Sequence, residues 1–496
     1  MEHVKVVIAG AGFSGLAMAN RLRESGHRDF VVLERAQEIG GVWQLNTYPG
    51  CACDVPSHLY SLSFAPNPEW SHTYSAQPEI REYLQQTADR FGLRPYIRTG
   101  IAVQSATWSE GQGRWTLETN AETITCEVFI SAVGPLTEPS WPEVPGLDRF
   151  EGTLMHSARW DHDLDLRGKR VASVGTGASA IQYVPRIADQ VARLHVFQRT
   201  PPWVMPHGNR PIRDLERHLY RRVPALQAMV RQGVYWSREL LVIGLTKQTR
   251  LLGLLKRVGR LHMTRAISDP DLRRKVTPDY AVGCKRILPS NQWYPTLAKA
   301  NVELIAGGLA EVRGQTVVAA DGSEREVDVI ILGTGYHVAD IPIAEHVIGV
   351  GGRRLCDAWA GTPRAYLGTS IPGFPNFFML LGPNTGLGHS SMVYMIESQV
   401  DHVFAALQSR ERAGSAVIEV RPEVHARYNA EIDERMRSTV WELGGCQSYY
   451  MDATGRNAVI WPDWTWRFRR LARRDPSDAY RLTDPDHEPD REAVAA

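Results

Sequence analysis

Long apolar runs are missing from this chain. The longest, residues 240–245 followed by 251–255, is interrupted by Lys247 and Arg250. It falls short of the roughly 18 continuous apolar residues that a membrane-spanning helix needs, so stable membrane insertion is not expected. Cysteine is scarce: six, at 51, 53, 126, 284, 356 and 446. Apart from Cys51-Ala52-Cys53 they show no framework spacing and no paired zinc-ligand motif, which predicts reduced thiols and no metal site. Net charge is nearly absent, with 56 basic against 55 acidic residues, so no overall pull toward nucleic acid or acidic membranes is expected. Lysine is rare beside arginine, a bias that codon composition explains more simply than nucleic-acid binding. A strand begins by Val4, leaving no room for a signal peptide, and a cytoplasmic location is expected.

What is present is a chain of 496 residues, for which length alone predicts about three domains. Residues 4–9 form a buried-strand pattern, 16–23 a helix and 30–34 the next strand. A helical pattern covers 78–91, and segments 101–108, 115–118 and 124–133 alternate as antiparallel strands do. Pro135, Pro139, Pro142 and Pro145 crowd one segment, as at a domain boundary. A second βαβ unit opens at 170–174 and closes with 194–198. Residues 211–279 turn helical and arginine-rich. They read as an insert packed over its own domain, although a basic amphipathic helix can also lie on a membrane surface. Strand patterns return at 301–305, 327–332 and 377–381, with a helix over 392–407, and the acidic end from 484 to 496 reads as a disordered tail.

The fold class predicted is α/β, with two Rossmann-like dinucleotide-binding domains and a helical insert in the second. Residues 1–140 and 375–496 form the first domain, 150–212 and 283–374 the second, and 213–282 the insert. In the first unit the turn is Gly10-Ala11-Gly12-Phe13-Ser14-Gly15, and Glu34 ends the next strand 24 residues after Gly10. Gly10 makes the tight turn, Gly12 lets backbone approach a pyrophosphate, and Gly15 allows close helix–sheet packing. Glu34 accepts ribose hydroxyls, which favours FAD or NAD over NADP. In the second unit the turn is Gly175-Thr176-Gly177-Ala178-Ser179-Ala180, and the position an acid would take for NAD holds Arg199, followed by Thr200. A guanidinium there meets the 2′-phosphate of NADP. Charge logic thus assigns FAD to the first site and NADPH to the second. Val103 in the segment 101–108 and Met392 at the start of the helix 392–407 complete the expected FAD contacts.

Two further segments carry a family resemblance. Between the turns, Phe150, Gly152, His156, Trp160 and Asp161 fit F-x-G-x-x-x-H-x-x-x-W-(P/D), and Gly40-Gly41-Val42-Trp43 through Tyr48-Pro49-Gly50 to Asp54 fits a second motif at every defined position. The chain resembles the Baeyer–Villiger monooxygenases, FAD enzymes that use NADPH and O₂ to insert oxygen beside a ketone carbonyl. The N- and S-oxygenating flavin monooxygenases of the same fold are the alternative, and they carry Tyr or Phe where Trp160 stands. The wrong spacing of Cys51 and Cys53 sets the flavin disulfide reductases aside and leaves both as packing residues.

The resemblance implies the following. Gly41, Trp43, Asp54 and Tyr60 lie near FAD, Lys285 joins Arg199 at the 2′-phosphate, and Arg286 reaches the flavin with Asp54 as its partner. NADPH reduces the flavin, O₂ adds at C4a, and the peroxide, kept anionic beside Arg286, attacks the ketone to give an ester or lactone. His156 serves domain movement and cofactor order rather than proton transfer. Where many relatives have Ser-Trp-Tyr, this chain has Ser448-Tyr449-Tyr450, so Tyr449 stands for an indole over the nicotinamide. The expected partners are a small ketone and O₂, without nucleic acid, on a monomer or weak homodimer.

Overall fold

The computed structural model describes residues 2–483; the segment 484–496, read above as a tail, lies outside them. Two sheets organise the chain. The first runs in the order Val347–Ile348, Val103–Ser109, Arg114–Thr119, Thr123–Ser131, Glu2–Ala9, Phe30–Glu34, Ile97–Thr99. Its heart is parallel: Val6 to Ala9 pair with Phe30 to Leu33 on one side and with Val128 to Ser131 on the other. Phe30–Glu34 is buried along its whole length, which is why it reads as a continuous apolar run rather than an alternation. The antiparallel pairs of 103–109, 114–119 and 123–131 lie where alternation predicts them. Thr123–Ser131 shares one edge between two neighbours, Arg114–Thr119 along its first half and Phe377–Met379 along its second.

The second sheet is parallel throughout, in the order Val302–Ala306, Arg193–Gln198, Arg170–Val174, Val329–Leu332, Thr153–His156. Its edge strand ends at His156, so the fingerprint segment is itself sheet. Gly152 must be glycine there: a Cβ would lie 2.4 Å from the Asp328 carbonyl oxygen.

Two expectations are corrected. The stretch 347–374, expected with the second sheet, returns to the first. Val347 and Ile348 pair with Ala106 and Thr107, and Leu355, Trp359 and Phe374 pack into the core beneath Trp115 and Phe129. Short two-residue pairings of this kind leave no periodic signal. The insert, expected over its own domain, divides. Helix Pro224–Glu239 crosses to the first sheet's side: Gln227 bonds the Asn67 carbonyl at 2.7 Å, and Tyr235 stacks on Tyr394 at 4.9 Å. Helix Leu252–Ala266 stays on the second side, where Gly259 faces Met205 and Trp203 and His262 reaches the Ser290 carbonyl at 2.8 Å.

Of the histidines buried in this framework, burial pushes His58, His156 and His402 each down to about 4. Each is therefore neutral when folded but takes up a proton more readily when unfolded, near 6.5. Their contribution to stability is complete above the unfolded value and is lost as pH falls toward about 4. Thermal melts of the flavin-loaded protein at pH 7, 6 and 5 should show a falling midpoint; a flat profile over that interval would rule these histidines out as its determinants.

Candidate active site

The first glycine turn is dictated by close approach. Gly10 has φ +109°, and a Cβ there would lie 2.6 Å from the Ala132 carbonyl oxygen; at Gly15 it would lie 1.8 Å from the Gly10 carbonyl oxygen. Gly12 and Gly41 face each other through bare α-carbons, a Cβ on Gly41 standing 2.9 Å from Gly12. Helix Phe13–Glu24 therefore begins against backbone alone, and no side chain caps it. Its first N–H groups and its positive end are left for an anion, as a pyrophosphate requires. Ser14 is buried in this first turn. Glu34, buried at the end of its strand, accepts from the Ala11 and Ala36 amides at 2.7 and 2.9 Å. Those two bonds aim the carboxylate and leave lone pairs for ribose hydroxyls. Ile101 N–H bonds the Glu34 carbonyl at 2.9 Å, which places Val103 two residues beyond the same edge.

The motif loop closes over this end. Trp43 donates its indole N–H to the Tyr60 hydroxyl at 3.1 Å, and Tyr60 packs edge-on to Phe13 at 5.0 Å. Met392 opens helix Met392–Ala413 and lines a small cleft with Gly382, Pro383, Thr385 and Val459. Cys51 and Cys53 are buried thiols; burial pushes Cys51 up to about 12 and Cys53 higher still, so neither is a nucleophile near neutral pH.

The second turn repeats the first. Gly175 has φ +103°, with the Gly333 carbonyl 2.5 Å from where a Cβ would sit, and helix Ala180–Ile187 starts at Ser179 without a side-chain cap. Gly177 is open, Ala180 fully buried, and the Thr176 hydroxyl bonds the Thr200 carbonyl at 3.4 Å. Arg199 is exposed at the strand end. Burial and the Arg199 charge hold the Lys285 ammonium below its ordinary value, so the two cations are neighbours. Among the described residues neither forms an ion pair. Two unpaired cations beside an uncapped helix start suit a phosphate monoester.

Between the two turns, Asp54 and Arg286 meet. Arg286 donates Nε and Nη2 to the two carboxylate oxygens, both at 2.6 Å, and Nη1 to the Leu387 carbonyl at 3.2 Å. Burial works against the Asp54 charge, but the guanidinium outweighs it and the carboxyl stays below its usual range; the Asp54 charge raises Arg286 in turn. Gln182, on the second helix, accepts from Tyr48 Oη at 3.0 Å and donates to the Ala52 carbonyl at 3.0 Å, so the loop carrying Asp54 is tied to the second nucleotide site.

Around this pair, Arg238, Tyr74 and His207 carry no sequence signal, whereas Tyr449, His156 and Trp160 were singled out by the motifs. Arg238 of the insert adds positive charge at Asp54 and donates to the Tyr74 hydroxyl at 2.7 Å, and Tyr74 packs on His207 at 4.6 Å. Tyr449 and Tyr450 stand within the field of Arg286, their rings 4.4 Å apart and their hydroxyls 3.2 Å apart. Tyr450 is buried, whereas Tyr449 is 52% exposed. Trp461 is a packing residue, fully buried and bonded to the Trp464 carbonyl at 3.0 Å. His156 is buried, accepts from the Ala158 amide at 3.0 Å and caps the turn after its strand; Trp160 packs on Tyr183 at 5.5 Å.

The loop of Arg286 also corrects the expectation of six reduced thiols: Cys284 and Cys446 form a disulfide across 162 residues. The pair is invisible in the sequence because only tertiary packing brings 281–286 beside 444–446, where Ala281 N–H also bonds the Gly444 carbonyl at 2.9 Å. Cys446→Ser should lower unfolding stability by about 2–4 kcal/mol. Denaturant unfolding with and without reductant checks this, since reductant should bring the parent to the variant and leave the variant unmoved.

Two glycine turns, each between a buried strand and a helix, with a carboxylate beyond one and a guanidinium beyond the other, suit a flavin- and nicotinamide-dependent oxidoreductase, and a flavin-binding monooxygenase-like family model matches residues 3–222. The chain is 53% identical to a Baeyer–Villiger monooxygenase of Streptomyces coelicolor, covering 98% of this chain and 93% of that one. It is 47% identical to one of Pseudomonas aeruginosa over 97% and 92%. It superposes on a steroid monooxygenase bound to NADP with a TM-score of 0.85 at 32% identity, covering 97% of this chain and all of that one. Cyclohexanone monooxygenase from Rhodococcus gives 0.85 at 28% identity, over 97% and 99%. The chain belongs to the Baeyer–Villiger monooxygenase family, and it is an NADPH-dependent FAD enzyme; these relatives do not favour the N- and S-oxygenating alternative.

Proposed function

We propose that this enzyme converts a small ketone, with NADPH and O₂, into an ester or lactone, NADP⁺ and water, and that Arg286 and Asp54 are its charge-stabilising pair. The bidentate contact of Asp54 with Arg286 between the two glycine turns carries the reading. FAD, when bound, takes hydride from NADPH and activates O₂. Gly10, Gly12, Ser14, Gly15, Glu34, Gly41, Trp43, Tyr60, Val103 and Met392 would hold it. Gly175, Thr176, Gly177, Ser179, Ala180, Arg199, Thr200 and Lys285 would hold NADPH. The Arg286 guanidinium stays protonated throughout and supplies a fixed positive charge where negative charge develops on the reacting oxygen and on the ketone carbonyl oxygen. Asp54 sets its plane, the Leu387 carbonyl receives one N–H of Nη1, and the buried Tyr450 hydroxyl, which accepts from Tyr449, can donate toward the same space. The reading assigns no proton transfer to His156, which is neutral and turned into its own turn.

The domain assignment we favour follows the two sheets: an FAD domain of 1–140 and about 345 onward, an NADP domain of 150–212 and 283 to about 340, and the insert 213–282 bridging both. A monomer or weak homodimer in the cytoplasm goes with this reading, and size-exclusion chromatography and cell fractionation test it. The substrate class is tested by a screen of cyclic, linear, aryl and steroidal ketones beside a thioether. NADPH-dependent ester formation from at least one ketone is expected, and sulfoxide without any ester would overturn the proposal.

A further inference from the structure

The helical insert leaves its apolar residues in water. Of the large hydrophobic side chains that the described chain exposes, ten of fifteen lie between Leu215 and Leu261. Helix Leu252–Ala266, with the turn before it, is apolar on two faces. Leu252, Gly259 and Met263 point into the protein. Leu251, Leu254, Val258 and Leu261 repeat at three- and four-residue steps on the opposite side and are 55%, 68%, 39% and 50% exposed. A helix of a soluble protein presents charge on that side. Trp236 and Leu240, 50% and 61% exposed at the end of the preceding helix, lead into the same segment. The turn between the two helices lies against it, a Cβ on Gly244 reaching Leu251 at 4.0 Å.

Charge decides what covers this stripe. Residues 240–268 contain Lys247, Arg250, Lys256, Arg257, Arg260 and Arg265 and no Asp or Glu. Among the described residues none of the six cations makes an ion pair. The chain as a whole is nearly neutral, so this is a local concentration of positive charge around exposed Leu and Val. A second copy of the chain would set six cations against six across a self-complementary contact, which like-charge repulsion opposes. A surface of negative charge over an apolar interior meets both features at once: the cations reach the headgroups and the leucines the acyl boundary.

We propose that the insert, through Leu251–Leu261 and its flanking cations, docks the enzyme reversibly on an anionic lipid surface. The helix lies in the plane of the interface and does not cross it; no helix among the described residues is long and apolar enough to span a membrane.

Flotation of the FAD-loaded enzyme with phosphatidylglycerol–phosphatidylcholine vesicles, and with phosphatidylcholine vesicles alone, tests this. Binding to the anionic vesicles should be at least about tenfold tighter than to neutral ones and should fall with added salt. Lys256→Glu/Arg257→Glu should remove the preference for anionic lipid. Leu254→Gln/Leu261→Gln should remove binding to both, while each variant keeps its bound FAD and its NADPH oxidation in free solution. Equal binding to both vesicle types would overturn the electrostatic assignment. No vesicle binding, with a concentration-dependent dimer that Leu254→Gln/Leu261→Gln abolishes, would assign the stripe to a second copy. No binding and no dimer would reject the docking surface altogether.

Discussion

Arg286→Ala should all but abolish ester formation while the enzyme still binds FAD and still consumes NADPH, the reduced oxygen leaving as hydrogen peroxide. The expectation follows from what the guanidinium does and does not touch. It is not part of either glycine turn, so cofactor binding survives its loss. It is held by two 2.6 Å bonds to Asp54, and in the proposed reading it is the fixed cation between the two sites, so attack on a ketone carbonyl would lose the charge that stabilises the oxygen nucleophile and the developing oxyanion. Removing one preorganised donor of this kind costs about 10²–10³ in rate, and a full charge costs more. Arg286→Lys should rescue little, because an ammonium offers neither the planar fork that Asp54 and Leu387 engage nor assured protonation when desolvated. Asp54→Ala should show a milder form of the defect, with the cation present but poorly aimed. Ester and peroxide per NADPH consumed, measured for the parent and these three variants, decide the matter. An unchanged ester yield in Arg286→Ala would remove this residue from the chemistry, and an unchanged yield in Asp54→Ala would leave that carboxylate a structural partner.

The second large effect concerns coenzyme choice. Arg199→Ala should weaken NADPH by roughly 1.5–3 kcal/mol, about ten- to a hundredfold, and leave NADH nearly untouched, since only NADPH carries the phosphate that a charge-assisted bond would hold. Lys285 sharpens the prediction. It neighbours Arg199, and the Asp279 charge only partly offsets burial and that repulsion, so an added anion would relieve both cations. Lys285→Ala should therefore show a loss of the same selectivity, and the double variant less than the sum, as expected for two groups sharing one ligand charge. Apparent affinities for both coenzymes, from steady-state rates at saturating ketone, supply the comparison. Equal weakening of NADPH and NADH in Arg199→Ala would show that the guanidinium does not read the phosphate.

The two nucleotide units were legible because everything that makes them is local. A buried strand, a turn that tolerates no Cβ, a helix and a second strand follow one another within about 30 residues, and the residue proposed to read the ribose lies 24 positions after the first glycine in both, Glu34 and Arg199. The strand at 30–34 and that at 170–174 stand where the pattern puts them. The resemblance brought Asp54 and Arg286 to one place, 232 residues apart, which periodicity alone cannot do.

By itself, then, the sequence determined the fold class, the two glycine turns and the sign of the charge that stands 24 residues beyond each, because strand and helix periods and glycine sterics act over a few residues. Tertiary structure alone decided the rest. It joined Cys284 to Cys446, returned 347–374 to the first sheet, brought Arg238 of the insert to Asp54, and left Leu251, Leu254, Val258 and Leu261 facing outward. An apolar residue at helical spacing reads the same whether its neighbour is a core or a solvent. Which of the two it meets depends on segments a hundred or more residues away, whose arrival is set by packing and not by local pattern.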